Sequence, residues 1–303
     1  MHTAFVRSFN LSYTLFSLLS YPLFALTGLE KMRFIYLAPF LAFVSPVTAH
    51  GRITNITTSS GVVYTGWDPE MALQPTTPPP LAAWKASNLG NIYVSPSSFN
   101  TSNITCHFNA SPGALHVNTA AGDTLRLQWN EWPTSHKGPV LNYLASCDGS
   151  CADAKKENLK WVKIDQLGWL NSSGWEILGG TWASDVLIAN SFTWTVTIPQ
   201  GLVSGNYVLR HEIIALHVAN DADGAQAYPQ CININVSRGG DKRINGGVLG
   251  TQLYGEKDKG ILVDIHGKIA SYEIPGPKLW DGTTYVKQPN EKKLKNELWG
   301  KGV

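Results

Sequence analysis

Charge is scarce in this chain: Asp, Glu, Lys and Arg make up only 15% of its 303 residues, and the formal net charge is +2. With residues 1–49 set aside it falls to 0. Residues 285–303 hold five lysines against two glutamates, so residues 50–284 stand at −3. That body offers no basic field for nucleic acid, and the lysine-rich 285–303 reads as a solvated C-terminal tail. Helical periodicity and internal repeats are lacking too. The only helix-like stretch is Cys151 to Lys160, where Ala, Lys and Glu cluster and a short helix is expected. Cysteines number four, and no second close Cys pair or His-x₃-His follows Cys147 and Cys151, which leaves a zinc site there unsupported.

Strand alternation is common. Leu125 to Trp129, Phe192 to Ile198 and Ile232 to Val236 alternate apolar and polar residues as half-buried strands do, and Tyr207 to Ala215 reads as a further strand. Connections rich in Gly, Pro and Asn separate them, including the proline-dense 75–80 run. Many short strands with long loops and little helix predict an all-β, antiparallel sandwich.

The N-terminus reads as an export signal. Met32 to Ala49 has a basic start and a short apolar run, and it ends in Val47-x-Ala49, small residues at the positions a signal peptidase reads. Residues 32–49 are therefore the expected signal peptide of a secreted protein, with cleavage after Ala49. A second apolar run, Leu11 to Leu29, is interrupted by Pro22. Tandem export signals are rare, so residues 1–31 are read as a mis-assigned N-terminal extension; the alternative is a longer signal or an anchor. No membrane association is expected after cleavage. In an exported chain an even set of cysteines forms disulfides by default, and the favoured pairs are Cys147 with Cys151 and Cys106 with Cys231. Sequons at Asn55, Asn100, Asn103, Asn109, Asn171 and Asn235 suit a secreted glycoprotein, although short sequons also arise by chance.

Cleavage after Ala49 leaves His50 with a free α-amino group. That residue then offers two nitrogen ligands, amine and ring, to one metal ion. Three other segments carry candidate chemistry. His136 lies in a loop before Gly138-Pro139, where a histidine alone is ordinarily a surface residue. His217 closes the run Ile213-Ile-Ala-Leu-His217, where a packed side chain is the ordinary case. Gln226 and Tyr228 are two apart, so an extended segment points both to one face.

Together, His50, His136 before Gly-Pro, the run ending in His217, and Gln226-x-Tyr228-Pro-Gln-Cys231 resemble the fungal lytic polysaccharide monooxygenases of auxiliary activity family 9. The resemblance extends from His50 to about Trp280 and includes Cys106, Cys147, Cys151 and the closing Tyr272-Glu-Ile-Pro-Gly-Pro277. It implies an immunoglobulin-like, fibronectin-type β-sandwich over residues 50–284 with one copper ion on a flat face. The metal ligands it implies are His50, through its amine and Nδ1, and Nε2 of His136, with Tyr228 axial. His217 and Gln226 match the catalytic pair that orients the oxygen species. Copper suits such nitrogen donors. The implied reaction draws on an external electron donor and O₂ or H₂O₂ to oxidise C1 or C4 beside a β-1,4 glycosidic bond. The implied partners are a cellulose or other β-glucan surface and a reductant, and the enzyme is expected as a monomer. Tyr272 and Trp280 lie in or near the segment matching the family's binding loop and are the candidate substrate contacts. Met71, Ala72 and Leu73 depart from the tyrosines many relatives carry. Two other readings use the same residues: a glycoside hydrolase with Glu131 and Glu212 as its carboxylates, and a non-catalytic polysaccharide-binding protein.

Overall fold

Alternation from Thr124 to Trp129 puts Leu125, Leu127 and Trp129 on one face of a strand, and all three are buried. The computed structural model describes residues 51–90 and 92–296. The expected N-terminal extension 1–31, the signal peptide 32–49 and His50 lie outside the described residues. Among the described residues twelve strands form the framework. One sheet runs β2 (Val63–Thr65), β1 (Ile53–Thr58), β4 (Thr124–Trp129), β9 (Thr193–Thr197). The other runs β12 (Val248–Leu249), β6 (Lys160–Leu167), β5 (Val140–Ser146), β10 (Gly205–Ala215), β11 (Gln226–Ser237), β3 (Val117–Ala120). A small ladder joins β7 (Trp169–Asn171) to β8 (Thr181–Trp182). Pairing is antiparallel throughout except between β11 and β3, which are parallel. The architecture is the expected β-sandwich.

The apolar faces of the two sheets meet in a core that includes Ile56, Leu127, Trp194, Val196, Leu209 and Ile234. A second apolar cluster covers the outer face of the larger sheet, built from loop residues such as Trp84, Phe99, Ile104 and Leu253 against Leu141, Val208 and Ile214. Strands β5, β10 and β11 are consequently buried on both faces, and their sequences run apolar with charged residues sealed inside. Both disulfides form as expected. Cys106–Cys231 ties α1 (Asn103–Cys106) to β11, and Cys147–Cys151 closes a short loop after β5.

Two expectations need correction. Cys151 to Lys160 holds no α-helix, only a 3₁₀ turn over Cys151–Asp153. The local disulfide fixes the start of the segment, and β6 must begin at Lys160 to pair with β5. Fewer than ten residues remain, too few for a helix without a packing partner. Nor is the start of the lysine-rich stretch a solvated tail. Gln288 and Glu291 are buried, and α3 (Glu291–Asn296) packs beside β7. The Gln288 side-chain amide exchanges two hydrogen bonds with the Thr195 backbone (3.0 and 2.7 Å), occupying the open edge of β9. The second α-helix of the described residues, α2 (Ala183–Ala189), went unforeseen. Its short apolar run gives no clear period, and Asp185 caps it by accepting from Trp182 N at 2.8 Å. Among the described residues no helix is long and apolar enough to cross a membrane.

Candidate metal centre

The β10–β11 hairpin assembles most of the site. Its register sets Gln226 opposite Ala215 and Tyr228 opposite Ile213, so His217, two residues beyond Ala215, lies at the same end of the hairpin. Gln226 and Tyr228 share a face as their spacing required, and Tyr228 Oη donates to Gln226 Oε1 at 2.7 Å. Burial, reinforced by Tyr93, pushes the Tyr228 phenol above its ordinary pKa, so it remains an O–H donor. The Tyr93 ring leans on it at 6.2 Å, held there by the Val94–Ala227 bridge. Asp223, in the hairpin loop, accepts from Ser97 N (2.6 Å) and Oγ (3.0 Å), fastening that loop to the segment after Val94.

His136 reaches the site because the loop after β4 re-enters the sheet edge-on. Leu216 N donates to Lys137 O (2.8 Å) and Ile214 N to Pro139 O (3.2 Å). A Cβ on Gly138 would stand 1.9 Å from Ile214 O, so only glycine permits this approach. The result sets the His136 and His217 rings 4.0 Å apart, centre to centre. Ser135 Oγ lies 3.1 Å from His136 Nδ1.

Trp132 ties the parts together. Its Nε1 donates to His136 O (2.9 Å), and its ring meets Tyr228 (5.2 Å) and His136 (6.0 Å) edge-on. Trp129 packs against it at 5.4 Å. Trp129 Nε1 can only donate, so His211 Nε2, 3.1 Å away, accepts. His211 Nδ1 then carries the proton and donates to Asn142 Oδ1 (2.7 Å), while Asn142 Nδ2 donates to Asp165 Oδ2 (2.8 Å). Burial, then Arg210, lowers the His211 pKa to about 3, which keeps the ring neutral. Sequence reading passed over Trp132, Trp129 and His211. Trp132 sits inside the loop already singled out for His136, but only folding shows that its edge faces Tyr228.

The chain enters the described region at Gly51, and Gly51, Arg52 and Tyr228 line one cavity of about 140 Å³. Arg52 N donates to Asn130 Oδ1 (2.7 Å) and Ile53 N to Gln230 Oε1 (2.8 Å), clamping this start. Among the described residues no group of three His, Cys, Asp or Glu side chains could hold a metal. His50 lies outside those residues.

The candidate sugar contacts lie elsewhere. Tyr272 Oη donates to Gly260 O (2.7 Å) and its ring packs edge-on against Trp182. Trp280 is half-buried against the inter-sheet core, with its backbone N bonded to Lys163 O. Glu212 cannot serve a hydrolase. It is fully buried in a pair with Arg210 (2.8 and 2.6 Å) and also accepts from Tyr254. Glu131 is half-buried and accepts from Asn130 Nδ2 at 3.2 Å.

Known proteins share the family and fold of this chain. The profile of Auxiliary Activity family 9 (formerly GH61) matches residues 50–272. An AA9 family lytic polysaccharide monooxygenase A of Talaromyces verruculosus is 46% identical over 248 residues, covering 81% of this chain and 74% of that protein. An AA9 family lytic polysaccharide monooxygenase I of Botryotinia fuckeliana is 44% identical over 250 residues, covering 82% and 91%. The solved extended catalytic domain of H. jecorina LPMO9A superposes with a TM-score of 0.73 at 45% identity, over 79% of this chain and 94% of that one.

Proposed function

Because this chain belongs to Auxiliary Activity family 9, and is thereby a copper-dependent polysaccharide monooxygenase, we propose that His50, His136 and Tyr228 would hold its copper. The observation that carries the reading is the convergence of His136 and His217 at 4.0 Å with the bonded Tyr228–Gln226 pair, Tyr228 sharing a cavity with Gly51. The amine and Nδ1 of a processed His50, with Nε2 of His136, make three neutral nitrogen donors, a set that suits copper. The α-amino group, with an ordinary pKa of about 7.7–8.0, gives up its proton on binding. Bound copper, reduced by an external electron donor, supplies the redox chemistry that activates O₂ or H₂O₂.

The protein's own residues orient that chemistry. Trp132 holds the His136 backbone and the edge of Tyr228 in one unit. Since Tyr228 occupies Gln226 Oε1, any bond from Gln226 to the oxidant comes from Nε2. His217, beside His136, directs the oxidant toward substrate. The substrate is cellulose or a related β-1,4-glucan, oxidised at C1, at C4 or at both. The chain is secreted as a monomer after cleavage behind Ala49. Tyr272 and Trp280 keep a part in substrate binding only through the faces they leave outside the packing described above.

Incubating the processed, copper-loaded protein with cellulose, a reductant, and O₂ or H₂O₂, followed by mass spectrometry of soluble products, tests this. Aldonic acids mark C1 attack and 4-keto sugars mark C4 attack. Products with native ends alone would return the protein to the hydrolase reading, and no products at all would favour a binding protein.

A further inference from the structure

Among the six sequons, Asn171 is set apart by what its amide does. Asn55, Asn100 and Asn109 are exposed. Asn171 is 7% exposed, and its Nδ2 donates to Leu294 O at 2.8 Å with Lys295 O at 3.4 Å. Its Oδ1 accepts from Ser173 N at 2.9 Å. The amide nitrogen that a glycan would occupy is thus the group that seats the last turn of α3, while Leu294 packs on the inter-sheet core. Further anchors lie upstream of the helix: Gln288 on Thr195, and Asn290 Nδ2 on Ala189 O (3.0 Å) and Asn190 Oδ1 (2.9 Å).

We propose that Asn171 is an acceptor for an asparagine-linked glycan whose attachment excludes α3 from its seat, so that one molecule carries either the glycan or the docked helix. Transfer from a polyprenyl-diphosphate oligosaccharide forms a bond between Nδ2 and the anomeric carbon of the first sugar. The bond from that carbon to the phosphate oxygen breaks, the diphosphate leaves with the electron pair, and the amide gives up one proton. A sugar ring then stands where the Leu294 and Lys295 carbonyls lie. Order of synthesis favours the glycan. Asn171 precedes Leu294 by 123 residues, so at about 5–20 residues per second it emerges roughly 6–25 s before α3 exists. A six-residue helix has no stability of its own once undocked, and it melts.

The inference requires entry into the secretory pathway, which belongs to the reading above, but not its copper chemistry. A fungal host and a heterologous secretion signal supply that entry, so the test stands whether or not the protein oxidises cellulose. The full mature chain is expressed as wild type, Ser173→Ala and Ser173→Thr. The first variant removes the sequon and keeps Asn171 with its bond from the residue 173 backbone; the second keeps the sequon. Lectin chromatography and peptide mapping assign occupancy at Asn171, and a lysine-specific protease reports on Lys292, Lys293 and Lys295. Ser173→Ala and unoccupied molecules should be cut at these lysines at least about tenfold more slowly than molecules glycosylated at Asn171, since cleavage follows the open population. Equal protection in occupied molecules would overturn the exclusion. So would Ser173→Ala cut as fast as the glycosylated form. A total lack of glycan at Asn171 in both wild type and Ser173→Thr would overturn the acceptor assignment itself.

Discussion

Replacing Trp132 with Phe perturbs the site without replacing any proposed ligand. Trp132 is 3% exposed, and its indole N–H is bonded to the carbonyl of His136. Phe keeps an aromatic ring but removes that donor, and a buried carbonyl deprived of its donor costs about 1–3 kcal/mol. The smaller ring also weakens edge-on contacts with Trp129 and Tyr228, each worth about 0.5–1.5 kcal/mol when intact. A total loss of about 2–4 kcal/mol follows, which for a domain of this size lowers Tm by roughly 4–16 °C. Thermal unfolding of the metal-free protein under chelator measures it. With its backbone untethered, His136 should also lose alignment, and copper affinity should fall about 10–100-fold, as when a group supporting a metal ligand is removed. Calorimetric copper titration reads that part. Trp175→Phe, at an exposed tryptophan, is the control and should change stability by less than about 0.5 kcal/mol. If Trp132→Phe matches the control in both Tm and copper affinity, Trp132 merely fills space and the positioning argument fails.

His136→Ala should abolish tight copper binding, whereas His217→Ala should keep copper and lose about 10–100-fold in oxidised-product yield; equal copper affinity in wild type and His136→Ala would refute the ligand assignment. Tyr228→Phe removes the bond to Gln226 Oε1 and should cost about 1 kcal/mol in stability while altering the copper paramagnetic spectrum, so an unchanged spectrum would place Tyr228 away from the metal. Glu212→Gln leaves Arg210 as a buried, uncompensated cation and should destabilise by about 3–5 kcal/mol in urea unfolding, with no part of that loss recovered by copper. Burial raises the Asp165 pKa to about 6, against hydrogen bonds from Trp194 and Asn142 that lower it. The stability this acid contributes is therefore present below about pH 4 and is lost as pH rises through 6, so Asp165→Asn should gain about 2–3 kcal/mol on wild type between pH 4 and pH 7; a gap independent of pH would refute it.

The strands and the chemistry of the site were legible to different depths. Leu125 to Trp129 and Phe192 to Ile198 face a core on one side only, so their period of two is written in the residues. Gln226 and Tyr228 were paired correctly by the same period, because an extended backbone leaves no other choice at a spacing of two. The segment from Cys151 to Lys160 misled for the opposite reason: its helical composition is genuine, but a disulfide and an obligatory strand leave it no room. Glu212 misled in another way. A carboxylate in sequence carries no sign of burial, and only Arg210 and Tyr254 folded around it show that it is sealed. The lysines of 285–303 hid Gln288, whose role depends on an unpaired strand edge made 93 residues earlier.

By itself the sequence determined what local rules can carry: strand period, an even cysteine set, a stretch before His50 patterned like an export signal, and residue types able to bind copper. Tertiary structure decided everything that depends on distant partners. It brought His136 against His217 through the edge pairing of Lys137 and Leu216. It turned Trp132 into a bracket between two site residues, packed Tyr272 on Trp182, and gave the Asn171 amide to α3. The division has a physical cause. Backbone stereochemistry and periodicity act within a few residues, while burial, hydrogen-bond completion and close ring contacts are set by whichever segments the sheets bring together, often a hundred residues apart.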